Sequence, residues 1–595
     1  MKTNGSFETI PTPRTLPEFL ARSADLHADR VALRWANREG ETFTYEGLHR
    51  EVEELALGLL ELGAVRDERV GVFSENRPRW AACYFSIHRA GAIAVPIDAL
   101  LKEREVGEIG RAAELRYVFA SARMEPIVRA ALPRVRVISL DDSREAFLTY
   151  EAMRARGRAS SRRQQLLERT VSPERLAVLI FTSGTTGSPK AVALSHRNLA
   201  ANVNSVLAGF DVNDRDRLLS VLPLHHTFEC TMGLLMPVAA GATVVYARSL
   251  KSKELMEDLR DSQATLMLGV PLLYRKMLEG LEGALAKGNW LRRGVFLPLL
   301  RALRALRAPV GVGRALMAPL RAKAGMGGLR FFVSGAAALQ SEVYYGFRAL
   351  GIEMLQGYGL TETSPVLTVN PPHKARTGSV GPPIRGVELR IDRPGPDGVG
   401  EVLARGENVM EMYYGDPRRT REVMEGDFFR TGDLGRLDSD GYLYLCGRSK
   451  SMIATGAGKK IYPEEVETAL TSSHYIAEAL VYGRRERKTS HEDVCAILLP
   501  DWERLQHHLA QHGQDTSDET AVRAFLKAEV ARVCNTLADY KRVRDFTVRR
   551  EEFPRTTTGK VKRFLFVDGE QLDERQEAAA RAPEDRTAVR AGRPA

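Results

Sequence analysis

Apolar residues recur along this chain in two rhythms, and the alternation between them predicts its layout. In residues 44–62, Leu48, Val52, Leu55, Leu59 and Leu62 fall three and four apart with Glu51, Glu54 and Glu61 among them, the spacing of one helix face. Residues 16–24, 80–90 and 195–207 read as helices too. Between such segments stand short apolar runs at 70–73, 93–97, 115–119, 135–138, 177–181, 243–246 and 264–269, which have the length and character of buried strands. Residues 152–169 are charged and poor in large apolar groups, and are expected to form helix and connector. Strands at 479–482 and 495–499 and a helix at 519–537 continue the alternation towards the C-terminus. Strand–helix alternation of this kind predicts an α/β architecture of layered sheets and helices.

One dense polar stretch breaks the pattern. The run 177–181 empties into Thr182, Ser183, Gly184, Thr185, Thr186, Gly187, Ser188, Pro189 and Lys190 before a second, shorter run at 192–194. Hydroxyls, backbone N–H groups and an ammonium can converge there on an oxyanion. Gly184 and Gly187 remove the Cβ atoms that would hold a phosphate chain off the backbone. The Gly-Lys-Ser/Thr step of the ordinary P-loop is absent. Taken alone, the stretch also describes a Ser/Thr/Gly surface turn.

Further candidate residues follow. Residues 330–333 read as a strand ending in Ser334, Gly335 and Ala336, small enough for a flat ring to approach the backbone. Residues 355–363 supply Gln356, Gly357, Tyr358, Thr361 and Glu362. The Tyr358 ring has the area to cover a base, Thr361 offers a hydroxyl to phosphate, and Glu362 offers a hard oxygen suited to magnesium. Asp433 follows a Thr-Gly step; an ionised carboxylate there accepts from two neighbouring hydroxyls, or simply closes a surface turn. Arg448 brings a rigid guanidinium fork, and Lys560 follows Thr558-Gly559 among other cations.

In this order, the motifs TSGTTGSPK, LQGYGLTET, FFRTGDLG, GRSKSMIATGAGKKIYPEEVE and FPRTTTGKVKR resemble those of the adenylate-forming superfamily, and GKKIYPEEVE, PLHHTFE and the long basic segment at 290–330 together resemble its long-chain fatty acyl-CoA synthetase branch. The resemblance runs from about residue 15 to 570, and it departs at Ala191, where that family usually carries glycine. It implies a large multi-subdomain N-terminal domain of mixed sheets and helices over 1–448 and a small, mobile α+β domain over 449–570. Residues 571–595, charged and alanine-rich, are expected to form a disordered tail.

The resemblance also implies ATP, Mg²⁺ and coenzyme A, and a fatty acid as the substrate that is activated to an acyl-adenylate and passed to the thiol. It gives Thr182, Lys190 and 183–187 to the phosphates, and Gly335, Ala336, Gln356, Gly357 and Tyr358 to the adenine. It gives Thr361 to phosphate, Glu362 to magnesium, and Asp433 and Arg448 to the ribose. Lys450 becomes the hinge, 455–458 the side facing the thiol, and Lys560 the catalytic lysine. His226 and Phe228 resemble residues at the carboxylate and acyl entrance, and Val270 and Tyr274 residues that border the acyl pocket. A core histidine beside a core aromatic is the plain alternative, and the adjacent His225 and His226 lack metal-ligand spacing.

Composition narrows the setting. A formal charge of +10 over 595 residues permits attraction to anionic lipid or polyphosphate, and no nucleic-acid motif accompanies it. Five scattered cysteines without a CxxC pair fit a reducing compartment. The first residues lack the apolar core of a signal peptide, and no run approaches the roughly 18 apolar residues of a membrane span. A cytoplasmic location is therefore expected. Residues 290–330 hold Arg301, Arg304, Arg307, Arg314, Arg321 and Lys323 without one acidic residue. Read as helices broken at Pro309, Gly311 and Gly313, this segment suits peripheral contact through 291–325 with the anionic inner face of a membrane. It equally suits a solvated arginine face packed on its own domain. The rival functions are a medium-chain or aryl-acid CoA ligase, a fatty acyl-AMP ligase loading a carrier protein, and a non-enzymatic lipid- or nucleotide-binding protein.

Overall fold

Parallel strands covered on both faces need continuous apolar runs, and Ile93–Ile97 and Tyr117–Ala120 are buried at every position. In the computed structural model, which describes residues 12–37, 39–182, 190–288, 292–454, 460–485, 492–555 and 561–567, the chain divides into two compact units, Met1–Cys446 and Gly447–Ala595.

The first unit carries two eight-stranded sheets. One runs in the order Val366–Val369, Glu353–Gly359, Phe331–Ser334, Leu266–Gly269, Arg217–Ser220, Thr243–Tyr246, Val31–Trp35, Thr42–Thr44; its interior pairs are parallel and its two edge strands antiparallel. The other runs Met412–Tyr413, Lys190–Ser195, Leu176–Thr182, Ile93–Ile97, Arg69–Phe73, Tyr117–Ala120, Arg136–Ser139, Leu148–Thr149. A smaller five-stranded sheet contains Glu388–Asp392, Gly400–Arg405 and Phe428–Leu437.

The helix Tyr45–Glu61 starts where Thr44 accepts from the Gly47 N–H at 3.0 Å, and it buries Leu48, Val52, Leu55 and Leu59 as their spacing predicts. Glu51 and Glu54 are buried with them and meet Arg154 at 2.8 and 2.9 Å. Arg154 belongs to Tyr150–Arg158, so the first part of the expected connector is a packed helix. Gly157 permits the packing: a Cβ there would stand 1.8 Å from the Glu54 carbonyl oxygen.

Residues 292–323 depart from expectation in one respect. The π-type turn Arg292–Phe296 and the α-helix Leu297–Ala305 are followed by a break before Pro309, but Gly311 and Gly313 lie inside the helix Val310–Leu316 and do not interrupt it. Gly313 is a close-approach residue, since a Cβ there would come within 2.5 Å of the Ala349 carbonyl oxygen. Several cations of the segment are engaged by groups of the same unit. Arg304 pairs with Glu282 at 2.9 Å, Arg314 donates to the Gly351 carbonyl, and the buried Arg321 donates to the carbonyls of Met326 and Leu329. Val295, Leu306, Val312 and Leu316 are exposed, Leu306 to 78%. Among the described residues no helix is long and apolar enough to cross a membrane.

In the second unit Ile476–Arg485 pairs antiparallel with Glu492–Pro500, which pairs parallel with Asp545–Val548. Pro463–Leu470, Trp502–Gln511 and Glu519–Cys534 pack on this sheet through Val466, Leu470, Leu505, Leu526 and Val530. Both units are therefore α/β in composition, the second much the smaller.

Candidate active site

The polar stretch connects a hairpin. Leu176–Thr182 and Lys190–Ser195 pair antiparallel with Phe181 opposite Ala191 and Thr182 opposite Lys190. Residues 183–189, and so Ser183, Gly184, Thr185, Thr186 and Gly187, lie outside the described residues, while Thr182 and Lys190 flank them as a register pair. Ala191 is buried, and its carbonyl accepts from the Tyr414 N–H at 2.8 Å.

Lys190 has two neighbours from distant stretches. Its Nζ lies 3.8 Å from Glu362 Oε1 and 4.9 Å from the centre of the Tyr413 ring. The Tyr413 hydroxyl donates to the same Glu362 oxygen at 2.8 Å. Glu362 sits in the short turn Thr361–Thr363 beyond Glu353–Gly359 and is 9% exposed. Its carbonyl accepts from the Met410 N–H at 2.8 Å, and the next carbonyl, of Thr363, accepts from the Asn408 side chain at 2.8 Å. Gly359 lets the chain turn here, because a Cβ would overlap the Pro365 carbonyl.

A second pair lies alongside in sequence. Tyr358 is opposite Thr368 in the ladder, and its hydroxyl donates to Asp433 Oδ2 at 2.7 Å. Asp433 is 7% exposed in the strand Phe428–Leu437, and its N–H donates to Thr431 Oγ1. Gln356 is buried, and Gly357 is paired with Val369. Gly335 and Ala336 follow the strand Phe331–Ser334, and Ala336 has φ of +70°, a left-handed conformation that costs a residue with a Cβ.

The Phe228 ring closes on Gly335, where a Cβ would stand 3.0 Å from Phe228 Cε1. His226 and His225 have ring centres 4.0 Å apart, and His225 Nε2 is 3.5 Å from Asp98 Oδ2. Burial pushes the His225 imidazole down to about 3, so it is neutral at ordinary pH. Phe228 leads into Glu229–Leu235, a widened π-type helix that begins with a fully buried carboxyl. Glu229 accepts from Ser220 Oγ at 2.5 Å, and burial pushes its pKa up to about 8. Val270 caps the helix Pro271–Ala286. Tyr274 is fully buried, stacked on Phe332 and donating to the Met267 and Val333 carbonyls at 3.0 Å each, so it braces the strand ends.

In the second unit Arg448 and Lys450 are exposed, and 455–459 lie outside the described residues. So does Lys560, but its flanks are anchored. Arg555 and Val561 form an antiparallel bridge, Arg555 pairs with Glu478 at 2.5 Å, and Arg563 pairs with the Glu467 carboxylate and donates to the Val481 carbonyl.

Sequence reasoning passed over Tyr413, Asn408 and Glu229. Tyr413 carried a signal only as one of two adjacent tyrosines before a turn; its register against Val192 places it over Lys190.

The model of the AMP-binding enzymes matches residues 20–414, and that of their C-terminal domain matches 465–560. The chain belongs to this family, the adenylate-forming superfamily. The long-chain-fatty-acid–CoA ligase heimdall of Drosophila melanogaster is 31% identical over 498 residues, covering 77% of this chain and 73% of that protein. Indoleacetate–CoA ligase of Aromatoleum aromaticum is 29% identical over 561 residues, covering 92% and 96%. The crystal structure of the anthranilate CoA ligase AuaEII with anthranoyl-AMP has the same fold, with a TM-score of 0.73 at 24% identity over 96% of this chain and 99% of that one.

The site suits a cation carried in by a polyphosphate. Mg²⁺ is commonly held by one or two carboxylates together with substrate phosphates. Glu362, nearly buried beside a lysine and the Tyr413 hydroxyl, is a donor of that kind, and among the described residues no cluster of three or more metal-ligating side chains occurs.

Proposed function

We propose that the protein activates a long-chain fatty acid with ATP and transfers the acyl group to coenzyme A. The coarser reaction goes with its family: an acid, ATP with its Mg²⁺, and CoA are joined through an acyl-adenylate. The chain length and the residue roles are our reading. The observation that carries the residue roles is the linkage of Lys190, Glu362 and Tyr413, and of Tyr358 and Asp433, far apart in sequence, by the contacts above.

In the first step a carboxylate oxygen attacks the α-phosphorus and the bond to the β-phosphate oxygen breaks, releasing pyrophosphate. Lys190 and the 182–187 hydroxyls and amides hold the departing phosphates. Tyr358 covers the adenine, Gly335 and Ala336 let it approach the backbone, and Asp433 and Arg448 accept from and donate to the ribose. Glu362 would hold the Mg²⁺, which screens polyphosphate charge when bound. Lys560 steadies the oxygen charge that builds at the α-phosphorus. In the second step the CoA sulfur attacks the acyl carbonyl, its proton is lost, and AMP leaves; Lys450 is the pivot that exchanges Lys560 for the 455–458 side. His226 sits at the carboxylate, and Phe228 and Val270 line the acyl entrance. Tyr274 supports that wall from behind.

Long-chain preference rests on the PLHHTFE and GKKIYPEEVE segments and on likeness to relatives such as heimdall. We also propose a cytoplasmic protein that touches anionic membrane through 291–325, because a substrate of this kind partitions into bilayers and the segment combines exposed leucines with an absence of acidic residues.

A panel of acids assayed by pyrophosphate exchange and by thioester formation tests the substrate. Palmitate-length acids should exceed benzoate, indoleacetate and acetate in kcat/KM by about a hundredfold, since each buried methylene adds roughly 0.8 kcal/mol until the groove is full. Higher values for an aryl or short acid would overturn the long-chain reading. Transfer to a carrier protein but not to CoA would overturn the acceptor.

A further inference from the structure

Tyr413 has no part in the reaction steps above, yet it is 3% exposed and fastened on every side. The strand Met412–Tyr413 adds to the free edge of the hairpin, with Tyr413 opposite Val192. Its N–H donates to Thr420 Oγ1 at 3.1 Å, and its neighbours Glu411 and Tyr414 donate to the carbonyls of Ala193 and Ala191. The backbone thus aims the phenol at Glu362.

Two details of the geometry matter. The hydroxyl and the Lys190 ammonium both approach Oε1 of Glu362, at 2.8 and 3.8 Å. A lysine and a carboxylate in direct hydrogen-bond contact stand about 2.7–2.9 Å apart. Here the pair is held wider, with the phenol on the shared oxygen and the ring facing the ammonium at 4.9 Å, within cation–π range.

We infer that Tyr413 is a positioning residue for the nucleotide-bound Mg²⁺: its hydroxyl orients the Glu362 carboxylate that would hold the cation, and its ring keeps Lys190 from collapsing onto Glu362 as a contact pair. The inference rests on the reading of Glu362 as the magnesium carboxylate.

Calorimetric titration of the full chain with ATP, acid omitted, in excess Mg²⁺ and in EDTA tests it without turnover. Wild type binds ATP more tightly with Mg²⁺. Tyr413→Phe keeps the ring and strand, and should lose about tenfold in affinity with Mg²⁺ while matching wild type in EDTA, the loss expected for one hydrogen bond to a charged group. In a Glu362→Gln background the same change should cost nothing more. Tyr413→Leu, which also removes the ring, should weaken binding in EDTA as well, through Lys190. Equal losses for Tyr413→Phe with and without Mg²⁺, an undiminished loss in the Glu362→Gln background, or no loss at all would overturn the inference. If wild type binds ATP equally well with and without Mg²⁺, the assignment of Glu362 fails first, and the role of Tyr413 falls with it.

Discussion

Lys190 and Lys560 both closely follow a glycine in the sequence, and the proposed mechanism divides the work between them. Lys190 is fixed in a hairpin register opposite Thr182, with Glu362 and Tyr413 around its ammonium. Lys560 follows Thr558-Gly559 in a stretch whose ends, Arg555 and Val561, are bridged and tied by Arg563 to Glu467. On the proposed mechanism Lys560 serves only the step in which charge builds at the α-phosphorus. Lys560→Ala should therefore slow acyl-adenylate formation by about 10²-fold or more, a loss on the scale of one transition-state donor. Thioester formation from supplied acyl-adenylate should stay within about threefold of wild type, because an interaction absent from a step leaves its barrier unchanged. Pyrophosphate release and single-turnover thioester assays measure the two. Equal losses would remove Lys560 from the chemistry. For Tyr358 and Asp433 the sequence showed two suitable residue types; that one donates to the other depends on strands that meet only in the folded chain.

At the scale of elements, the basic segment shows how position overrides composition. Arg304, Arg314 and Arg321 would count towards a cationic face in a helical wheel, but each is bound to its own domain, to Glu282, Gly351 and the 326–329 carbonyls. Gly311 and Gly313 would end a helix by propensity, yet Val310–Leu316 continues through them because Gly313 packs against the Ala349 backbone. What the segment presents outward is Val295, Leu306, Val312 and Leu316 together with Arg301, Arg307 and Lys323. Membrane contact should thus depend on apolar insertion as well as on charge. Leu306→Glu with Leu316→Glu, both at exposed positions, should reduce co-sedimentation with anionic vesicles by about tenfold, each change removing apolar contact and adding repulsion. Wild type should pellet less with neutral vesicles. Equal pelleting of variant and wild type would rule this face out.

Across the whole molecule, three buried titratable groups bend the stability profile in opposite directions. Burial holds His196 and His225 down at about 3, against an ordinary 6.5. They bind fewer protons folded than unfolded below that value, so their contribution is full above about pH 6.5 and is lost as pH falls. Glu229 runs the other way. With a folded pKa pushed to about 8 from 4.5 it keeps its proton when the unfolded chain has lost it, so its contribution is full below pH 4.5 and fades as pH rises through 8. Glu229→Gln keeps a neutral acceptor for Ser220 and removes the titration. Its melting temperature should match wild type near pH 5 and exceed it by roughly 1 °C or more at pH 8, the shift that about 1 kcal/mol gives a chain of this size. A constant offset at all pH values would mean that Glu229 does not titrate in this range. That this carboxyl is buried was not legible in HHTFE, since nothing local distinguishes a solvated glutamate from one enclosed by a sheet and a π-type turn.

The order of helices and strands, the family-defining motifs and the candidate phosphate, adenine and ribose residues were determined by the sequence itself. Apolar spacing and glycine placement act over a few residues and need no partner. The tertiary structure alone decided which strands are neighbours, that 176–182 and 190–195 form an antiparallel hairpin, and that Tyr413 covers Lys190 while donating to Glu362. The two Tyr413 contacts join residues 51 and 223 positions apart, and a ladder register shifted by one would turn every side chain to the opposite face. Chemistry-bearing residue types are thus written locally, whereas their distances follow from strand pairing across the whole first unit.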